Sequence, residues 1–169
     1  MAALAAAAAL AAVLASQRAP APLGEGVPAP ALALPRLGDG QVVKLADLRG
    51  HPVLVNFWAT WCKPCEDEMP AMERAYQALR AEGFELLAVS VDVGDDEVSA
   101  FRDRLGLSFP ILRDPDRREA TRWQSLRFPE SWLVGPDGRI AARFIGPREW
   151  DAQEYEARIR ALLPAAAQR

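Results

Sequence analysis

Beyond the first fifteen residues, two stretches of the chain are apolar almost without interruption. Val53-Leu54-Val55-Asn56-Phe57-Trp58 and residues 84–91 have the composition of strands buried on both faces, as in the middle of a sheet. Between them the period changes. From about Cys62 to Ala81, the residues Met69, Met72, Tyr76 and Leu79 fall three or four apart, which predicts a helix ended by Gly83 and kinked at Pro70. Asp95 or Asp96 is placed to cap a second helix through Phe101 to Leu105, with Gly106 behind it. A short strand is expected at 109–112, and a helix from Asp114-Pro115-Asp116 toward Trp123. Two alternating strands at 131–134 and 139–145 flank the turn Pro136-Asp137-Gly138, and a last amphipathic helix is expected at about 150–163. Upstream, residues 31–34 and 41–45 flank Gly38-Asp39-Gly40 as an N-terminal β-hairpin extension. Strand and helix alternate first and a hairpin follows, so the fold class is α/β: a central mixed β-sheet flanked by helices on both faces.

The ends read differently. Residues 1–15 are almost wholly Ala, Leu and Val without a charge. A helix of fourteen such residues reaches about 21 Å, short of a hydrocarbon layer of about 30 Å, so a signal peptide with Val13-Leu14-Ala15 as cleavage site is the first reading. No Lys or Arg precedes the run, and an N-terminal anchor or an Ala-rich tail are the alternatives. Residues 16–30 hold Pro20, Pro22, Pro28 and Pro30 and follow neither period, as expected of a linker. The folded domain is expected at 31–163, with a tail at 164–169.

Composition narrows the chemistry. The charge of 20 − 23 = −3 and the lack of a basic stretch exclude nucleic acid as a partner. The chain has two cysteines, Cys62 and Cys65, within Trp61-Cys62-Lys63-Pro64-Cys65, where the first buried strand hands over to the first helix. Bridging residues three apart restrains almost nothing in the unfolded chain, which points away from a structural staple and toward redox chemistry. At the start of a helix, free N–H groups and the positive dipole end favour the Cys62 thiolate, Lys63 adds a cation, and Pro64 suits the first turn. Cys62 is therefore the expected nucleophile, and the more buried Cys65 the resolving thiol. Glu66 and Asp67 read as ordinary first-turn acids. Glu68, three residues after Cys65 and on nearly the same face, is the candidate acid/base. Trp61 is a candidate lid over the sulfur. Trp58, Trp123, Trp132 and Trp150 read as packing residues, and His51 as a solvated turn residue. Two Cys and one His give no metal or other cofactor site.

The segment Asn56-Phe57-Trp58-Ala59-Thr60-Trp61-Cys62-Lys63-Pro64-Cys65, with Glu68-Met69-Pro70, resembles the active-site segment of the TlpA/ResA-like branch of the thioredoxin superfamily. Residues 43–50 resemble its lead-in, and Phe128-Pro129-Glu130-Ser131-Trp132-Leu133-Val134 its cis-proline strand. The resemblance implies a thioredoxin-like fold with Pro129 cis opposite the sulfurs, and Glu68 as the branch's acidic residue where classical thioredoxins have an Asp at position 56. It makes Trp61, Lys63, Pro64 and Phe128 candidate client contacts. Pro129-Glu130-Ser131 resembles the cytochrome c maturation reductases (CcmG/DsbE-like). The activity implied is extracytoplasmic reduction of disulfides in client proteins such as apocytochrome c, with electrons from a membrane thiol reductant of DsbD/CcdA type. The alternatives are a thiol peroxidase, whose P-x-x-x-T-x-x-C motif would need Pro at position 55 and Thr at 59 in place of Val55 and Ala59, and a copper-site assembly protein, whose relatives use C-x-x-x-C with a distant His.

Overall fold

The computed structural model describes residues 21–164. The expectations for residues 1–15, for the first part of the linker and for 165–169 lie outside the described residues. Three strands that run the same way form half of a five-stranded sheet: β3 (Val53–Trp58), β4 (Glu85–Ser90) and β5 (Ile111–Arg113). The other half is β6 (Glu130–Val134), antiparallel to β3, and β7 (Ile140–Ile145), antiparallel to β6. The order is β5-β4-β3-β6-β7, so the apolar run at 53–58 is central and buried along its whole length. A hairpin of β1 (Ala33–Pro35) and β2 (Val42–Lys44) precedes it.

Helix α1 (Lys63–Leu79) crosses from β3 to β4 and continues through Pro70; α2 (Asp95–Leu105) crosses from β4 to β5. The short α3 (Arg118–Arg122) leads to β6, and α4 (Gln153–Arg160) follows β7. Alternation along β3 sorts the layers. Asn56 meets Glu68 of α1 and Trp58 stacks near Phe101 of α2, whereas Phe57 turns to the opposite face and meets Trp123 behind α3. Helices thus cover both faces.

Three expectations shift. The cap of α2 is Gly94, whose N–H donates to the Glu97 carboxylate, and Asp95 instead pairs with Arg113. The last helix is shorter than 150–163 because Trp150 turns inward as core before α4 begins. Finally, residues 21–30, expected within the linker, are tied to the domain: Gly26 N–H donates to Ile140 O, Ile140 N–H to Val27 O, and Ala29 N–H to Gly138 O. They cover the β7 edge as Arg36 and Leu37 cover β5, which leaves neither edge of the large sheet open along its full length.

Candidate active site

The C-terminal end of β3 delivers the chain to the turn 59–62, and this turn is held by a buried carboxylate. Asp92, just past β4, accepts from Thr60 N–H (3.0 Å), Thr60 Oγ1 (2.8 Å) and Ser90 Oγ (2.9 Å). Arg113 in turn donates to Ser90 Oγ and to the Asp92 and Gly94 carbonyls, which fixes the ends of β4 and β5 around the same point. Sequence reasoning found nothing in this segment, because a single Asp after a strand has no spacing to mark it.

Cys62 occupies the N-cap of α1 and is joined to Cys65 by a disulfide. Its Sγ accepts from Cys65 N–H at 3.3 Å, and Pro64 sits in the first turn, where no N–H is needed. Cys62 retains 7% exposure and Cys65 none. Lys63 is engaged by Asp67 at 2.6 Å, so its charge is shared along the helix, and Glu66 pairs with Arg104. The Phe128–Pro129 peptide is cis and leads directly into β6, whose Glu130 pairs with Phe57 of β3, bringing this loop to the same end of the sheet as the disulfide. The Phe128 ring meets the exposed Trp61 ring edge-on at 6.1 Å.

Glu68, one turn after Cys65 on α1, is 2% exposed. Oε1 accepts from Asn56 Nδ2 (2.9 Å); Oε2 accepts from Arg148 N–H (3.1 Å) and from Trp150 Nε1–H (3.1 Å). Burial pushes its carboxyl up to about 7, and the hydrogen bonds from Trp150, Asn56 and Arg148 restrain that rise. Asn56 also donates to Ser131 Oγ, while its own Oδ1 is buried without a partner. The carboxylate is connected outward by a cavity of about 180 Å³ lined by Asp67, Glu68, Pro147, Arg148 and Glu149. Glu68 is thus a buried acid, one helical turn after the buried Cys65, with an opening to solvent.

Trp150, read from sequence as packing, therefore does two things: it packs edge-on against Phe144 and at a tilt against Tyr155, and it donates to Glu68. No sequence pattern links positions 68 and 150. Trp150→Phe is expected to keep the ring contacts and lose the donor. A hydrogen bond to a charged group contributes about 1.5–3 kcal/mol, so the Glu68 midpoint should rise by at least about one pH unit, read by ¹³C NMR of the Glu68 carboxylate. An unmoved midpoint would show that the indole N–H contributes nothing.

A two-cysteine helix cap facing a cis-proline loop on this sheet defines a thiol–disulfide oxidoreductase of thioredoxin-like fold. The AhpC/TSA family model matches residues 26–143, and the chain belongs to that family. Among similar proteins, the thiol-disulfide oxidoreductase ResA of Bacillus thuringiensis (strain Al Hakam) is 34% identical over 126 residues, 75% of this chain and 72% of that protein. ResA of Bacillus subtilis (strain 168) is 34% identical over 73% of this chain and 69% of its own length. A crystal structure described as a thiol:disulfide interchange protein DsbE from Chlorobium tepidum is similar with a TM-score of 0.77 at 31% identity, covering 85% of this chain and all of the other.

Proposed function

We propose that this oxidoreductase works as an extracytoplasmic reductant of disulfides in specific client proteins, apocytochrome c among them. The observation that carries the direction is the buried Glu68 below Cys65: a carboxylate there disfavours a neighbouring thiolate and so favours the dithiol as electron donor.

In the reduced protein the Cys62 thiolate attacks one sulfur of the client disulfide. The client's other sulfur leaves as a thiolate and is protonated. Cys65 then gives its proton to Glu68 and attacks Cys62 Sγ, which releases the second client thiolate and closes the 62–65 disulfide. Two electrons pass from the dithiol to the client, and Glu68 returns its proton to solvent through the cavity at Arg148. The oxidised protein, the form described here, is reset by a membrane dithiol of DsbD/CcdA type that is itself oxidised. Trp61, Lys63 and Pro64, which flank Cys62 in the chain, and Phe128, which meets the Trp61 ring, would meet the client, and the cis-Pro129 loop would pair with its backbone. Export rests on the leader at 1–15, either cleaved or kept as a membrane tether. Among the described residues no helix is long and apolar enough to cross a membrane.

The test offers the reduced protein an apocytochrome c with its haem-binding cysteines oxidised and, separately, hydrogen peroxide. The expected result is one client disulfide reduced per 62–65 dithiol. Rapid peroxide turnover without disulfide reduction would replace this reading with the peroxidase one.

A further inference from the structure

Most arginines of the described chain are matched by a carboxylate or a carbonyl oxygen. In α3 and the turn before it, Arg118 faces Asp116 at 3.6 Å and Arg122 faces Glu119 at 2.9 Å; in β6 and β7, Arg143 pairs with the buried Glu130. Two exposed arginines, one over Trp61 and one preceding Phe128 in the chain, meet no carboxylate among the described residues. Arg117 lies over the exposed Trp61 ring, 5.7 Å from its centroid, and Arg127 is exposed beside Phe128.

Arg117 is held by its backbone. Arg117 has φ 56° and ψ 28°, a left-handed conformation that a non-glycine residue adopts at a cost. Its N–H donates to Asp114 O, while the buried Asp114 carboxylate takes the N–H groups of Arg118, Glu119 and Ala120. The chain cannot relax there without uncapping α3, so the guanidinium is delivered to the indole. On the other side, the loop that holds Arg127 runs through the cis Phe128–Pro129 peptide into Glu130, the buried first residue of β6, which is anchored by Arg143. Arg117, Trp61 and Phe128 form a continuous rim, a cation over one ring and the second ring edge-on to it, and Arg127 is joined to Phe128 in the chain. Trp61 is among the exposed large apolar residues.

We propose that this rim selects, among client proteins, those that present a carboxylate next to the disulfide, with Arg117 and Arg127 as the residues that read it. The inference rests on the reductase reading above and adds the chemistry of the substrate. The apolar rings take the client's side chains, and the cations, on the Trp61 side of Cys62, supply charge complementarity. An aromatic face under a guanidinium also keeps that cation poorly hydrated and ready to accept a carboxylate.

The test uses the full-length reduced protein and two peptides, each closed by one disulfide and identical except for Glu or Lys beside the cysteines. Exposed ion pairs contribute modestly, so kcat/KM should favour the Glu peptide by about tenfold at low salt. The preference should fall to within about twofold near 0.5 M salt, where screening is strong. It should vanish in Arg117→Ala/Arg127→Ala and invert in Arg117→Glu/Arg127→Glu. Equal rates on the two peptides, or a preference that survives the double alanine variant, overturns the selection and leaves the reductase intact. Failure to reduce either peptide and the neutral 2-hydroxyethyl disulfide overturns both.

Discussion

Reduced protein carrying Cys65→Ser is expected to accumulate client proteins covalently on Cys62, whereas Cys62→Ser is expected to lose disulfide reduction by about 10³-fold or more. The asymmetry comes from position on the helix. Cys62 is the N-cap, partly open to solvent, and its sulfur already accepts the Cys65 N–H, a contact that stabilises a negative sulfur once the disulfide opens. Cys65 is fully buried one turn in and can reach only a sulfur attached to Cys62. Its attack is intramolecular, and well-oriented intramolecular reactions have effective molarities of about 10⁵ M or more, which no external thiol matches. Without it the mixed disulfide persists. Non-reducing electrophoresis and mass spectrometry of the adducts read the outcome. Adducts forming equally well on Cys65 in the Cys62→Ser variant would reverse the assignment.

Glu68→Gln should show the second large effect, in rate and in stability, with opposite signs. A buried general acid/base contributes about 10²-fold or more, and a Gln cannot take the Cys65 proton, so thiol–disulfide exchange near pH 7 should slow by about that factor. For the wild type, the carboxyl titrates near 4.5 when unfolded and near 7 when folded. Between those values the folded state binds more protons than the unfolded one, so stability is fully present below about pH 4.5 and declines as pH rises through about 7. The gap corresponds to about 3 kcal/mol at alkaline pH. Gln at 68 removes that slope: the variant should lie within about 1 kcal/mol of the wild type near pH 5 and exceed it by up to about 3 kcal/mol at pH 8. The site can accommodate the amide. Oε of Gln can take the Arg148 and Trp150 donors, and Asn56 can turn its unpartnered Oδ1 toward the new N–H. Stopped-flow exchange from pH 5 to 9 and denaturant unfolding at both ends check the two halves. Exchange unchanged at every pH removes the catalytic role, and a stability difference independent of pH removes the buried-charge argument.

Much of the fold was legible because burial leaves a period. The 53–58 run could only be a central strand, and the spacing of Met69, Met72, Tyr76 and Leu79 could only be a helix lying on it. The cap of α2, expected at Asp95 or Asp96, falls one or two residues earlier, since Gly94 caps through its backbone while Asp95, the better cap by side chain, is drawn to Arg113. The proline-rich stretch before the hairpin read as linker because its pairing to β7 runs through backbone groups, which composition does not reveal.

The sequence by itself determined the chemistry of the site: two sulfurs three residues apart at the mouth of a helix, with an acid one turn further on, because a helix converts spacing directly into a shared face. Tertiary structure alone decided how that acid behaves. Asn56 from β3, the Arg148 backbone and the Trp150 indole converge on Glu68 from up to 82 residues away. Likewise Asp92 holds the Thr60 turn, and Arg117 and Phe128 reach Trp61 from separate loops. Such partners are brought together by the register of strands and the path of loops, and a pKa depends on who ends up adjacent in a dry interior, which no local pattern encodes.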